Sequence, residues 1–109
     1  MKDEIWFDHF DSDPYEKVAR QVPDSFGHPM SVCLYRITWA YLDWIDETYN
    51  SSSDSFFTGN HKLYDPREGD FDSLIEAAVY ETFLKREKRH LPRPSWCPPA
   101  MPFEYEDID

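Results

Sequence analysis

Glycine is scarce in this chain, three residues in 109. A loop that cradles phosphate with its backbone N–H groups needs several glycines in close order, and no such motif is present. Cysteine is scarcer still, with only Cys33 and Cys97. Two cysteines make no disulfide framework, and with His9, His28, His61 and His90 they show no paired spacing of the kind that holds structural zinc. Basic residues are outnumbered two to one, 11 Lys and Arg against 22 Asp and Glu, for a formal net charge of −11. Contact with nucleic-acid phosphates or an anionic membrane surface relies on a Lys/Arg surplus, so both partner classes are disfavoured. The longest apolar stretch is interrupted by Arg36, Asp43, Asp46 and Glu47, which rules it out as a membrane span. Without a secretory or transit-type leader a cytoplasmic location is expected, and a Cys33–Cys97 bridge is the minor expectation there.

Aromatics, by contrast, are abundant: four Trp, seven Tyr and eight Phe, 17% of the chain. A chain of this length forms one domain around one core. Each aromatic brings a large apolar area. Whatever a single small core does not take up forms an exposed patch of the kind that marks a partner surface. The acidic balance favours a basic partner, besides conferring solubility.

The apolar stretch is residues 31–50, SVCLYRITWAYLDWIDETYN. Read as a whole it shows no period-two alternation. At 3.6 residues per turn Arg36, Asp43, Glu47 and Asn50 fall close to one line with Ala40 between them, and the remaining circumference is apolar. A helix apolar on most sides is surrounded by neighbours. The expectation is a buried central helix over 31–49 that includes Cys33 as a small apolar residue. The fold class expected is mainly α, a small helical domain built around that helix.

Residues 1–12, MKDEIWFDHFDS, read as a short arm. Asp13-Pro14-Tyr15-Glu16 has the cap, the first-turn proline and the acid three residues on that open a helix. This predicts a helix over 14–22 with Tyr15, Val18, Ala19 and Val22 in one stripe, ended by Pro23. Residues 24–29, DSFGHP, read as a connector. Beyond the central helix NSSSDS is a polar linker. SFFT and HKLY then flank Gly59-Asn60, a two-residue turn that predicts a β-hairpin over 55–64. Phe71, Leu74, Ile75, Ala78, Val79, Thr82 and Phe83 recur at helical spacing, Ser73 and Glu76 stand at capping-box distance, and Asp70 and Asp72 suit a helix start. Lys85, Arg86, Lys88, Arg89 and His90 complement the negative end of a helix dipole. A helix over 71–90 is predicted, its basic end read as a solvated terminus.

The helical domain is expected to cover 1–91 and a tail 92–109. Pro92, Pro94, Pro98, Pro99 and Pro102 prevent helix there. A segment already restricted by proline lies extended in a groove at low entropic cost. The groove is either the domain's own, which the tail would then close, or a partner's; the second is favoured, as a partner-binding arm with Trp96, Met101, Phe103, Glu104, Tyr105, Glu106 and Asp107 as contact residues. The helix ending in RHLPRPSW places Leu91, Pro92, Pro94 and Trp96 in a Leu-Pro-x-Pro-x-Trp turn before a short aromatic tail. In this it resembles the C-terminal end of some small bacterial antitoxin-like proteins. The likeness covers residues 74–103 and departs at Phe103-Glu104-Tyr105, where a Trp-Phe pair would be expected. It implies a protein encoded beside a toxin enzyme and neutralising it by direct contact.

The reading that joins these features is an acidic, non-enzymatic inhibitor of antitoxin or immunity type, acting on a basic enzyme or toxin, with no cofactor and no metal. Its acids would steer the encounter while Trp and Tyr supply buried contacts. One alternative is a phage-encoded nucleic-acid mimic whose carboxylates replace phosphates. Another is a small metal-dependent enzyme using the cluster Asp8, His9, Asp11 and Asp13, whose oxygens suit a hard divalent cation but lack the spacing of a calcium loop. Either cysteine with a histidine has the atoms for nucleophilic catalysis, without a local pattern to support it. The helical phase itself is testable: Trp39→Ala should cost about 3–5 kcal/mol if the ring is fully buried. A circular dichroism melt unmoved by the substitution would place that ring at the surface.

Overall fold

The chain enters the fold as a hairpin. In the computed structural model, which describes residues 13–96, β1 (Lys17–Pro23) pairs antiparallel with β2 (Pro29–Tyr35). Val18 faces Leu34, Arg20 faces Val32 and Val22 faces Met30, so these six share one side of the ribbon. Val22, Val32 and Leu34 on that side are buried. The turn is built by Asp24, whose Oδ1 accepts from the N–H groups of Phe26 at 2.8 Å and His28 at 2.9 Å. Its carbonyl accepts from Gly27 N–H at 3.0 Å, and Gly27 takes a left-handed φ of +84°, which suits a residue without Cβ.

Two expectations are corrected here. The helix predicted over 14–22 is a strand, and the central helix begins at Arg36 rather than at residue 31. Cys33 accordingly lies in β2, unbridged among the described residues, and Cys97 lies outside them. The helix-start chemistry of Asp13-Pro14 is spent on a single turn, with Glu16 N–H on the Asp13 carbonyl at 3.0 Å and Tyr15 N–H on the Asp13 side chain at 2.9 Å.

β2 runs into α1 (Arg36–Tyr49) without a loop. No side chain caps this helix. The carbonyls of Glu16 and Pro14 accept instead from the N–H groups of Arg36 at 2.8 Å and Ile37 at 2.9 Å, so the turn before β1 satisfies two of the helix's orphan donors. From Arg36 onward the predicted phase holds: Ile37, Thr38, Trp39, Tyr41 and Leu42 are buried, and Asp43 and Glu47 are exposed. Trp39 is only 3% exposed. Its Nε1–H donates to the Val18 carbonyl at 2.7 Å, and the Arg20 guanidinium lies 4.7 Å over the ring while pairing with Asp43.

Residues 55–64, expected as a hairpin, belong to α2 (Asp54–Leu63). In a strand Phe56 and Phe57 would point to opposite faces. The helix sets them edge to face at 5.5 Å and drops Phe57 fully into the core, 5.8 Å from the Trp39 ring. Asn60 donates back to the Phe56 carbonyl at 2.8 Å, and His61 Nδ1 accepts from Ser25 N–H at 3.1 Å, which ties α2 to the hairpin tip.

A short 3-10 turn (Pro66–Glu68) precedes α3 (Phe71–Lys88). Asp70 caps α3 by accepting from Ser73 N–H at 3.1 Å, so Ser73 and Glu76 do not form the expected capping box. The helix stops two residues short of its predicted end. His90 takes a left-handed φ of 57°, with its N–H on the Glu87 carbonyl and Leu91 N–H on that of Arg86. Ile75, Val79 and Phe83 of α3 close the core against Leu34, Ile37 and Tyr41. Each such side chain contributes about 1.5–3 kcal/mol on burial. The described chain is thus a mainly helical small domain, three helices with an N-terminal two-stranded hairpin.

Gly59 separates the two readings of residues 55–64. It sits mid-helix without a positive φ, and a Cβ added there meets nothing within 4 Å. Gly59→Ala should therefore stabilise the protein by about 0.5–1 kcal/mol in a denaturant titration. A loss of stability would instead fit a turn at Gly59-Asn60.

Candidate functional site

The most strongly engaged ionisable group is Glu76, 3% exposed in the first half of α3. Its Oε1 accepts from the Thr38 hydroxyl and its Oε2 from Tyr35 N–H, both at 2.6 Å. One turn earlier Asp72 Oδ1 accepts from Cys33 N–H at 3.2 Å. Two acids of α3 thus answer the outward N–H groups of β2. Burial pushes the Glu76 carboxyl above its ordinary range; the bonds from Thr38 and Tyr35 and the charge of Lys17 oppose that shift, and Asp72 adds to it. A displaced carboxyl can mark chemistry. Here both oxygens are already held by the protein, so Glu76 supports the fold.

A different arrangement lies at the C-terminal ends of α1 and α3. Trp44 and Tyr49 come from α1 and Arg86 from α3. Arg86 Nη2 donates to the Tyr49 hydroxyl at 2.6 Å and to the Pro92 carbonyl at 2.9 Å. Its guanidinium lies 5.0 Å from the Tyr49 ring centre and 5.8 Å from that of Trp44. The two rings meet edge to face at 6.2 Å, and Trp44 stacks on buried Tyr41. Tyr49 is 46% exposed, and Trp44 and Arg86 are half-buried. Just past α3 the chain folds back here: Arg93 pairs with Glu87 at 2.9 Å, Pro94 is fully buried, and half-buried Trp96 packs against the core.

Of the predicted contact residues, Trp96 therefore stands beside the domain's own core. Met101, Phe103, Glu104, Tyr105, Glu106 and Asp107 lie outside the described residues. So do Asp8, His9 and Asp11 of the acidic cluster. Asp13, its remaining member, holds Tyr15 N–H. Among the described residues no group of three or more His, Cys, Asp and Glu could hold a metal ion, and no helix is long and apolar enough to cross a membrane.

The sequence reading missed Trp44, Tyr49 and Arg86 as a group. Within KREKRH Arg86 reads as part of a solvated terminus, yet it follows Val79 and Phe83 by seven and three residues. That spacing is the core-facing side of α3 and was the available signal. Charge is unevenly placed as well. Residues 13–96 carry 10 Lys and Arg against 14 acids, while 1–12 and 97–109 together carry one lysine against eight acids, −7 of the −11.

Compared with known proteins, no family model matches this chain, and no curated protein or solved structure matches it.

Glu76 permits a test with a definite sign. Between the ordinary glutamate pKa and the raised folded value, the folded chain holds a proton that the unfolded chain has released. This contribution to stability is complete below the unfolded pKa and is lost as pH rises through the folded one. Glu76→Gln offers an acceptor to Tyr35 N–H and a donor to Thr38, whose hydroxyl then accepts, without ionising. Its stability relative to the parent should rise with pH above about 4.3, the ordinary glutamate value. Glu76→Ala should cost about 1–3 kcal/mol for each partner left unpaired. Denaturant midpoints from acid to neutral pH check both; parallel curves for parent and Gln variant would contradict the assignment.

Proposed function

We propose that this protein is a non-enzymatic inhibitor of antitoxin or immunity type that neutralises a basic enzyme or toxin by direct contact. The observation that carries the reading is the gathering of Trp44, Tyr49 and Arg86 with the Pro92 carbonyl, where the chain leaves α3 toward the acidic, aromatic tail. Trp, Tyr and Arg are the residues that dominate binding energy at protein interfaces. The charge distribution supports the same reading. Acids concentrated in the two end segments act at a distance on a basic partner and raise the encounter rate, while the domain itself stays nearer balance. The tail beyond Trp96 supplies Met101, Phe103 and Tyr105 as further apolar contacts, with Glu104, Glu106 and Asp107 as the charged rim.

The partner is found by co-purification from cells followed by mass spectrometry, and a stoichiometric basic protein is expected. Its association rate should fall steeply from low to high ionic strength, since the steering charges are screened beyond about 8–10 Å near physiological salt. Tyr49→Ala and Phe103→Ala should each cost on the order of 1–4 kcal/mol of binding. Truncation after Trp96, which leaves Pro94 and Trp96 in place, should spare the melting transition and weaken the complex. Full retention of the partner by the folded truncation would remove the tail from the interface.

A further inference from the structure

α3 carries apolar residues on two opposite sides. Ile75, Val79 and Phe83 are buried inward, while Leu74 and Leu84 on the far side are 40% and 42% exposed. Ala77 and Glu81 lie between those leucines at steps of three and four, which makes one continuous stripe. With Tyr80, and with Asn60 of α2, the stripe lines an open groove of about 460 Å³. Leu63, 84% exposed, ends α2 beside Leu74. The stripe is also polar in a directional sense. Asp70 stands at its N-terminal end and exposed Lys85 and Lys88 at its C-terminal end.

We propose that this face joins two copies of the chain, with α3 packed antiparallel on its counterpart about a two-fold axis level with Val79, between Ala77 and Glu81 of the stripe. Charge complementarity selects this occupant. In that register Leu74 of one copy meets Leu84 of the other, Ala77 meets Glu81, Ser73 meets Lys85 and Asp70 meets Lys88, and each contact occurs twice. A parallel pairing would set Lys88 against Lys88 and Asp70 against Asp70. Ala77 and Ala78, beside the crossing point, present small side chains there and fit an interaxial distance within the usual 8–10 Å range. The stripe's own charges balance, two acids against two lysines, so the net repulsion between acidic copies acts mainly at distances that physiological salt screens. The proposal does not rest on the inhibitor reading. Arg86 lies on the core-facing side of α3 with Val79 and Phe83, so the Trp44, Tyr49 and Arg86 group stays open, and two copies would present it twice.

Sedimentation equilibrium of the full chain over a range of concentrations tests the proposal, with melting curves to confirm that each variant is folded. The parent should show twice the chain mass, and Leu74→Arg with Leu84→Arg should be monomeric. Lys85→Glu, at an exposed position that cannot disturb the core, should weaken association about tenfold by leaving each stripe three acids against one lysine, so that the two copies repel across it. Ser73→Lys added to Lys85→Glu should restore it, because the antiparallel register sets those positions together. A parent that stays monomeric up to about 1 mM overturns the proposal, and this is also what a foreign partner on the same face would give. A dimer indifferent to the two arginines overturns it too. Failure of Ser73→Lys to rescue overturns the antiparallel register.

Discussion

Two carboxylates of one helix hold the edge of a two-stranded sheet, and the rest of the domain is arranged around that contact. Such a sheet has no interior strand, so every outward N–H of β2 needs a partner from elsewhere. Asp72 and Glu76 supply acceptors for Cys33 and Tyr35. The spacing works because four residues of helix rise about 6 Å, close to the roughly 6.6 Å between alternate residues of a strand. α3 is thereby laid along β2 in the same direction. Thr38 of α1 shares the Glu76 carboxylate, so one buried group joins strand, following helix and last helix. Removing it would leave donors from two elements unpaired at once.

This contact also fixes which sides of α3 remain available. The side bearing Asp72, Glu76, Val79 and Phe83 is committed to β2 and the core, and Leu74, Ala77 and Leu84 are turned outward. The same orientation brings Arg86 against Trp44 and Tyr49 of α1, and the Pro92 carbonyl then closes on it. An outer apolar stripe and an aromatic end group are thus both consequences of how one helix is rotated. The proposed inhibitor would use the end group, and the proposed self-association the stripe.

Much of the helical organisation was legible because it is local and strongly periodic. α3 was expected within two residues of its end, and the phase of α1 from Arg36 onward, with Trp39 inward and Asp43 and Glu47 outward, follows from the spacing alone. The hairpin was missed although its turn was visible: DSFG places Asp first and Gly fourth, between runs that alternate through Met30, Val32 and Leu34. The alternation of residues 31–35 is short and runs directly into the helical pattern that follows, with no turn residue between them. At 55–64 the dipeptide Gly59-Asn60 carried a genuine turn preference that burial of Phe57 overrode. The distance of Glu76 from Ser73 fits a capping box, but Asp70 is the residue that caps α3.

The sequence by itself determined the acidic charge and its concentration at the two ends, the helical character of 36–49 and 71–88, and the end of helix before Pro92. These depend on composition, on long amphipathic periods and on proline chemistry, none of which needs a neighbour. The tertiary structure alone decided whether Val18 and Val22 lie on a strand or a helix. Residues four apart share a face under a period of two and very nearly under 3.6, so the local pattern is silent between them. It was likewise the packing that turned an acid into a buried latch and a basic helix end into an aromatic patch, because an unpaired strand edge and an exposed ring acquire partners only when distant segments meet.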